Sequence, residues 1–139
     1  MDKVIKNFQN ISYGPAPEDS KEVTHWIKNL KNPNNIFING KFVKSSSSKK
    51  INIINPSTNK KIATLCVASK KDVNSAVIAA KKAHIKWSKL SSFDRSKYLY
   101  ALARLIQKNS RFISVLETID NGKPIRETRD IDIPLVARH

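Results

Sequence analysis

Cys66 is the single cysteine of the chain and its one candidate thiol nucleophile. It lies in the run Ala63-Thr64-Leu65-Cys66-Val67, which predicts the interior of an apolar strand. A reactive thiolate needs a pKa lowered by a helix N-terminus, a cation or a histidine, and no histidine lies near Cys66 in the sequence. We therefore expect Cys66 to be a small, buried core residue.

One histidine and four carboxylates are the other candidates for acid–base chemistry. His84 lies beside Trp87 on the apolar face of a predicted helix, which favours a core histidine. Two carboxylate pairs occur, Glu117 with Asp120 and Asp130 with Asp132. The first pair shares a helix face at a spacing of i, i+3. We interpret both pairs as capping or surface ion-pairing groups, with possible cationic partners at Lys123, Arg126 and Arg129.

The composition excludes several classes of protein. With 139 residues, 40% of them hydrophobic, the chain has the length of about one domain and enough apolar residues for a core. No apolar run approaches the ~18 residues of a membrane span. The single cysteine excludes an internal disulfide, and the three glycines cannot form a glycine-rich phosphate loop within this chain. The N-terminus shows neither a secretory nor a transit pattern, so we expect a cytoplasmic protein.

The chain is strongly basic, with 26 Lys and Arg against 11 Asp and Glu and a formal net charge of +15. Such an excess could neutralise nucleic-acid phosphates, which makes a nucleic-acid-binding module one alternative. Twenty of the 26 cations are lysines, however, whereas bidentate contacts to phosphates or bases favour arginine. We therefore interpret the lysine doublets as solvated surface groups and do not expect nucleic acid as the partner.

The first element that the pattern predicts is an amphipathic helix. Val23, Trp26, Ile27 and Leu30 recur at i, i+3, i+4 and i+7, and Trp26 is expected to pack in the core. Its predicted boundaries are a cap at Asp19 or Ser20 and a stop at Pro33, after breakers at Gly14, Pro15 and Pro17.

Two β-hairpins are predicted next. Asn39-Gly40 between two apolar runs indicates a type I′ turn, which needs positive φ at both residues. Alternation over residues 50–53 predicts a strand that turns at 55–59 into a second strand over 61–67. The serines at 45–48 are expected to form a flexible connector between the hairpins.

Three longer helices are predicted after the hairpins. Ser69 and Asp72 form a capping box, and further helices open at Ser92 and Ser110. The last one ends before Gly122, and Pro124 acts as a stop. The apolar residues expected inside are Val73, Ala76, Val77, Ala80, Ala83 and Trp87, then Tyr98, Leu99, Leu102, Leu105 and Ile106, then Phe112, Ile113, Leu116 and Ile119.

These apolar stripes lack a partner surface within the chain, because no long apolar strands indicate the centre of a parallel sheet. The chain also stops in mid-helix at residues 136–139. We therefore expect the N-terminal piece of a larger protein, or a truncated gene model, that folds poorly alone.

Five strings, in this order, resemble the aldehyde dehydrogenase superfamily over about residues 37–139. They are Phe37-Ile38-Asn39-Gly40-Lys41-Phe42-Val43, Asn55-Pro56-Ser57-Thr58, Asp72-Val73 through Ala79-Ala80 to Trp87, Arg95 through Leu102-Ala103, and Leu116-Glu117-Thr118-Ile119-Asp120-Asn121-Gly122-Lys123-Pro124. The string Tyr13-Gly14-Pro15-Ala16-Pro17-Glu18, followed by the Trp26 helix, is similar to family 16 of these enzymes, some of whose members lack the nucleophilic cysteine.

The resemblance implies an α/β fold, the N-terminal part of a Rossmann-type cofactor domain made of β-hairpins and packing helices. Residues 1–34 would be an N-terminal extension with a short amphipathic helix, and residues 35–139 a partial NAD-binding domain. The implied enzyme oxidises an aldehyde to a carboxylic acid with NAD or NADP and forms a homo-oligomer. Its catalytic Cys and Glu and its cofactor-binding residues would lie beyond residue 139, so this piece alone is expected to be inactive.

One functional position carries over from the resemblance. Many family members hold a structural monovalent cation between backbone carbonyls before the Asn-Pro turn and the aspartate of the last string, which here are Ile53, Ile54 and Asp120. The alternative is that Asp120 is only a residue of a helix C-terminal turn. Two alternatives to the enzyme also remain, a non-catalytic scaffold with this fold and the nucleic-acid-binding module.

Overall fold

A computed structural model describes residues 18–30 and 35–139, together with Lys3 and Lys6. Helix α1 (Lys21–Lys28) follows Ser20, whose side chain forms no capping bond. Instead, Asp19 accepts a hydrogen bond from the backbone N–H of Lys21 at 2.6 Å. The predicted stop at Pro33 and the breakers at Gly14, Pro15 and Pro17 lie outside the described residues.

The two predicted hairpins are present, and each forms a separate two-stranded antiparallel sheet. Strand β1 (Asn35–Ile38) pairs with β2 (Lys41–Lys44), and β3 (Lys50–Asn55) pairs with β4 (Lys60–Cys66). Asn39 and Gly40 have φ angles of 53° and 76°, which confirms a turn with positive φ at both residues.

The longer helices begin where the serines predict. They are α2 (Lys70–Trp87), α3 (Ser92–Lys108) and α4 (Ser110–Asn121), and the chain continues through α5 (Ile125–Glu127), a π-helical turn (Thr128–Asp132) and α6 (Ile133–Arg138). The capping box of Ser69 and Asp72 is confirmed. Gly122 follows α4 in the left-handed conformation, at φ 79°, as its position predicts.

The serine connector is not simply flexible, which corrects the prediction for residues 45–48. Ser45 is buried, and its hydroxyl donates to Asp72 Oδ2 at 2.8 Å. The backbone N–H groups of Ser46 and Ser69 donate to the same oxygen at 3.1 and 2.8 Å. The N–H of Ser69, followed by the donors from Ser45 and Ser46, holds the pKa of Asp72 well below its usual range. One capping carboxylate therefore ties the connector to the start of α2.

The buried core of the described residues is small and lies around α4 and α6. Val23, Val115 and Ile133 are its buried apolar residues, and Ser114 and Thr128 are fully buried beside them. Trp26 packs edge-on against Phe112, with ring centroids 5.4 Å apart, yet 46% of its surface is exposed. It is therefore only partly the core residue that was predicted.

The predicted burial of the α2 and α3 stripes is wrong for this chain. The large exposed members are Val73, Val77, Tyr98, Leu99, Leu102 and Leu105, and Trp87 is 36% exposed. The stripe of α4 is half-buried, because α1 and the second hairpin contact that helix. Helix α3 packs against α6 and α2 contacts β1, but both helices keep large apolar side chains exposed. None of the described helices is long and apolar enough to cross a membrane.

The low pKa of Asp72 gives a testable prediction. Because the folded pKa is depressed, ionised Asp72 stabilises the connector above the ordinary Asp pKa of about 3.9, and this stabilisation is lost as the pH falls further. Ser45→Ala removes one donor and should raise the pKa of Asp72, measured by ¹³C NMR titration of its carboxyl. Ser75→Ala is the control, since the Ser75 hydroxyl donates to Lys71 O within α2. Equal titration midpoints in both variants would contradict the role of Ser45.

Candidate functional site

An apolar cleft of about 390 Å³ lies between α1, the second hairpin and α4. Its walls include Trp26 and Ile27 from α1, Ile53 and Leu65 from the hairpin, and Leu116 and Ile119 from α4. Two carboxylates, Glu117 and Asp120, are the charged residues of the lining. The surface of the cleft is nonetheless almost entirely apolar.

The second hairpin changes register at the predicted cation site. Ile53 pairs with Ala63, whereas Ile54 pairs with Lys61, so Ile62 is the extra residue of a β-bulge. A bulge interrupts the regular ladder of backbone hydrogen bonds and bends the strand. It thereby places irregular backbone directly before the Asn-Pro turn.

The turn after the bulge is held by Asn55. Its side chain accepts a hydrogen bond from the N–H of Ser57 at 2.9 Å, and its carbonyl accepts one from the N–H of Asn59 at 2.8 Å. Pro56 lies within this turn and faces the end of α4, because a Cβ atom added to Gly122 would meet Pro56 Cγ at 2.7 Å. Only a glycine allows this close approach.

The structure brings two of the three predicted cation-site residues to one cleft. Ile53 and Asp120 both line it, and Ile54 is the next residue along β3, with an exposed side chain. Asp120 is exposed on the last turn of α4. Across residues 18–30 and 35–139, no group of three or more His, Cys, Asp or Glu side chains is positioned to hold a metal ion. A cation here would therefore depend on backbone carbonyls in addition to Asp120.

Two other predicted side chains are placed differently from expectation. Cys66 is the last residue of β4, opposite Lys50, and is only half-buried, because the strand ends there instead of continuing into the core. His84 is exposed, so the prediction of a core histidine is wrong. The apolar face of α2 that was expected to bury it is only partly covered, by β1 and by the contact of Trp87 with Tyr98.

The carboxylates of the C-terminal helical segment pair with cations, as expected. Asp132 accepts a hydrogen bond from Lys123 Nζ, which raises the pKa of Lys123. Arg129 Nε donates to Asp130 at 2.6 Å, which lowers the pKa of Asp130. Arg129 Nη1 also donates to Glu18 Oε1 at 3.2 Å, a link between distant parts of the chain that the sequence pattern did not indicate. Glu117, in contrast, only accepts a weak bond from Asn121 at 3.3 Å among its described neighbours.

The four lysine doublets are exposed, as the prediction of solvated surface groups requires. They are Lys49-Lys50, Lys60-Lys61, Lys70-Lys71 and Lys81-Lys82, and they lie at the starts of β3 and β4, at the start of α2 and within α2. The positive charge is thus spread over several elements. One cation–π contact accompanies it on α3, where Lys97 Nζ lies 4.4 Å from the centre of the Phe93 ring.

Comparison with known proteins identifies the family. The aldehyde dehydrogenase family matches residues 42–139, which is more than half of the chain. The chain belongs to this family. The match includes the bulged hairpin, the Asn-Pro turn and the segment from Asp120 to Gly122 that packs against it.

Relatives resemble this chain both in sequence and in structure. DhaS of Bacillus subtilis is 41% identical over 112 residues, which cover 79% of this chain and 23% of DhaS. The crystal structure of HpcC from Thermus thermophilus matches with a TM-score of 0.76 and 30% identity, over 86% of this chain and 24% of HpcC. Betaine aldehyde dehydrogenase from Staphylococcus aureus, solved with NAD+, matches with a TM-score of 0.74 and 28% identity, over 82% of this chain and 22% of its own.

These matches confirm the predicted α/β class and the aldehyde dehydrogenase superfamily. They do not confirm the more specific resemblance to family 16. The chain spans less than a quarter of the length of each of these three proteins. The hairpins and helices therefore represent part of an aldehyde dehydrogenase fold, and no catalytic or cofactor-binding residue is assigned to the chain.

The contact between Gly122 and Pro56 gives a prediction with an internal control. Gly122→Ala introduces left-handed strain of about 1–2 kcal/mol and also a clash with Pro56, whereas Gly40→Ala has similar strain with nothing within 4 Å. We expect Gly122→Ala to reduce amide hydrogen-exchange protection in the last turn of α4 by at least about tenfold, since about 1.4 kcal/mol corresponds to tenfold. Gly40→Ala should reduce protection less and only in the first hairpin. Equal losses would show that the clash is absent.

Proposed function

We propose that this chain is the N-terminal part of an NAD(P)-dependent aldehyde dehydrogenase. Residues 35–139 would open the cofactor domain, and residues 1–34 would be an extension that packs on it through α1. The observation that carries the proposal is the family match over residues 42–139, supported by 41% identity to DhaS. A neighbour that contains NAD+ supports the choice of cofactor.

The proposed reaction is oxidation of an aldehyde to a carboxylic acid, with hydride transfer to NAD+ or NADP+ when that cofactor is bound. In this family a cysteine thiolate and a glutamate carry out the chemistry. We place both groups, and the cofactor-binding residues, in polypeptide beyond residue 139. Cys66 has no catalytic role in this scheme, since it lies at a strand end away from the cleft lining. The residues of this chain would act by building the hairpins and helices on which the cofactor domain rests.

The proposed setting is a cytoplasmic homo-oligomer that acts on an aldehyde. Among the described residues, no feature favours the scaffold alternative or the nucleic-acid alternative over the enzyme. The exposed lysines are spread over several elements, and the family match points to the enzyme.

A chimera tests this function. Joining residues 1–139 to the part of the Bacillus subtilis relative that the match does not cover should restore aldehyde-dependent NAD(P)+ reduction, followed at 340 nm. The isolated chain and the trimmed relative are controls, and both should be inactive because each lacks part of the fold. A folded chimera without turnover, or clear turnover by residues 1–139 alone, would contradict the proposal.

We also propose that Ile53, Ile54 and Asp120 contribute to a monovalent cation site. The donor set fits a hard cation, because it consists of a carboxylate and backbone carbonyl oxygens. The β-bulge at Ile53/Ile54 and the packing of Pro56 against Gly122 support the proposal, since they bring the end of β3 and the end of α4 to the same cleft. A further ligand would have to come from outside this chain.

Asp120→Asn tests the cation site in the chimera. At constant ionic strength, K+ should stabilise the chimera more than the bulky choline cation does, by about 1.4 kcal/mol at ten times its Kd. Asp120→Asn should abolish this difference, whereas Glu22→Gln, on the exposed side of α1, should keep it. The readout is the thermal unfolding midpoint. If K+ stabilises the Asp120→Asn chimera as it does the parent, Asp120 is only a residue of the helix C-terminal turn.

A further inference from the structure

Two of the three glycines in the chain follow an asparagine, at Asn39-Gly40 and at Asn121-Gly122. An asparagine before glycine is prone to spontaneous deamidation, because glycine has no side chain to hinder attack of its backbone nitrogen on the preceding side-chain amide. Both asparagines are exposed, so sequence and accessibility alone do not distinguish them. The backbone surroundings of the two pairs, however, are different.

The backbone nitrogen of Gly40 lies in an open turn. Ile38 pairs with Lys41 in the register of the first hairpin, so these two residues close the turn, and the N–H of Gly40 takes no part in that closure. Among the described residues, no turn or loop hydrogen bond between backbone groups involves this N–H. A Cβ atom added to Gly40 would meet nothing within 4 Å, so the turn also has room to rearrange.

The backbone nitrogen of Gly122 is held in place. Its N–H donates to Thr118 O at 3.0 Å, at the end of α4. The Asn121 side chain is held as well, because its Oδ1 accepts a hydrogen bond from the N–H of Lys123 at 2.8 Å. Pro56 packs against Gly122 on a further side. A bond between this nitrogen and the Asn121 side chain therefore requires the loss of both hydrogen bonds.

We propose that Asn39 is a site of spontaneous deamidation and that the fold protects Asn121 from the same reaction. Base removes the proton from the Gly40 nitrogen, which forms a bond to Cγ of Asn39, and the bond from Cγ to the side-chain nitrogen breaks as ammonia leaves. Water then opens the succinimide at either of its carbonyls, which leaves aspartate or isoaspartate at position 39. Both products add a negative charge, and isoaspartate also lengthens the backbone of the turn by one carbon atom.

The longer backbone of isoaspartate affects the first hairpin. A two-residue turn fixes the register of its two strands, so an additional backbone atom disturbs their pairing. The second pair from the turn is Phe37 with Phe42, whose ring centroids are 5.2 Å apart. Asn39 and Gly40 also line a shallow depression together with alanines of α2. Isoaspartate should therefore loosen β1 and β2 and leave the second hairpin unchanged.

Peptide mass spectrometry of residues 1–139, incubated at mildly alkaline pH, tests the site. Incubation in concentrated urea, where both pairs are unfolded, gives a reference ratio of the two rates that corrects for the flanking residues. Relative to that reference, Asn39 in buffer should react at least about tenfold faster than Asn121, since the loss of one hydrogen bond at about 1.4 kcal/mol corresponds to tenfold. Circular dichroism checks that the helices are present in buffer and absent in urea. A ratio in buffer equal to the ratio in urea, or faster reaction at Asn121, would overturn the proposal.

Amide hydrogen exchange tests the effect on the hairpin. Cation exchange separates the deamidated protein, and electron-transfer fragmentation distinguishes isoaspartate from aspartate. The isoaspartate fraction should lose protection in β1 and β2 and keep it in β3 and β4. Asn39→Asp is the matched control, because it adds the same charge without the longer backbone, and it should retain protection. Full protection in the isoaspartate fraction, or an equal loss in Asn39→Asp, would contradict the role of the longer backbone.

Discussion

The packing of Gly122 against Pro56 is the contact on which the rest of this structure depends. The left-handed glycine ends α4 and lets the helix approach the Asn-Pro turn to a distance that a Cβ atom would prevent. This contact fixes the second hairpin against α4 and so forms two walls of the apolar cleft. It also places Asp120 beside the end of β3, where the strand is bulged. A single backbone requirement thus determines both the cleft and the position of its carboxylates.

The exposed apolar side chains of α2 and α3 impose a second constraint on the stability of this chain. Helices that expose residues such as Leu102 and Leu105 lose most of the stabilisation that burial would give, about 1.5–3 kcal/mol for each large side chain. Helix α3 is held by its contact with α6, and α2 by its contact with β1 and by the cap of Ser69 and Asp72. Capping selects where a helix begins, but it cannot replace a core. The observed elements are therefore those of a larger fold, which agrees with the share of each relative that the chain covers.

Local sequence signals predicted the elements well and their environment poorly. The Asn39-Gly40 turn, the capping box and Gly122 follow from backbone chemistry within a few residues, so the sequence alone reveals them. The burial of a side chain depends instead on which residues of other elements pack against it. His84 was expected in the core because its helix face is apolar, but the elements that contact this helix leave the histidine exposed. The link from Ser45 to Asp72 spans 27 residues and has no local signature.

The cleft was missed for the same reason, because it joins three elements from distant parts of the chain. Each wall has an ordinary amphipathic pattern, and only the packing of α4 on the hairpin shows that the patterns face one another. The surroundings of Glu117 and Asp120 also depend on this packing. On a helix surface, Glu117 and Asp120 are unremarkable at a spacing of i, i+3. In the folded chain they lie in the lining of an otherwise apolar cleft.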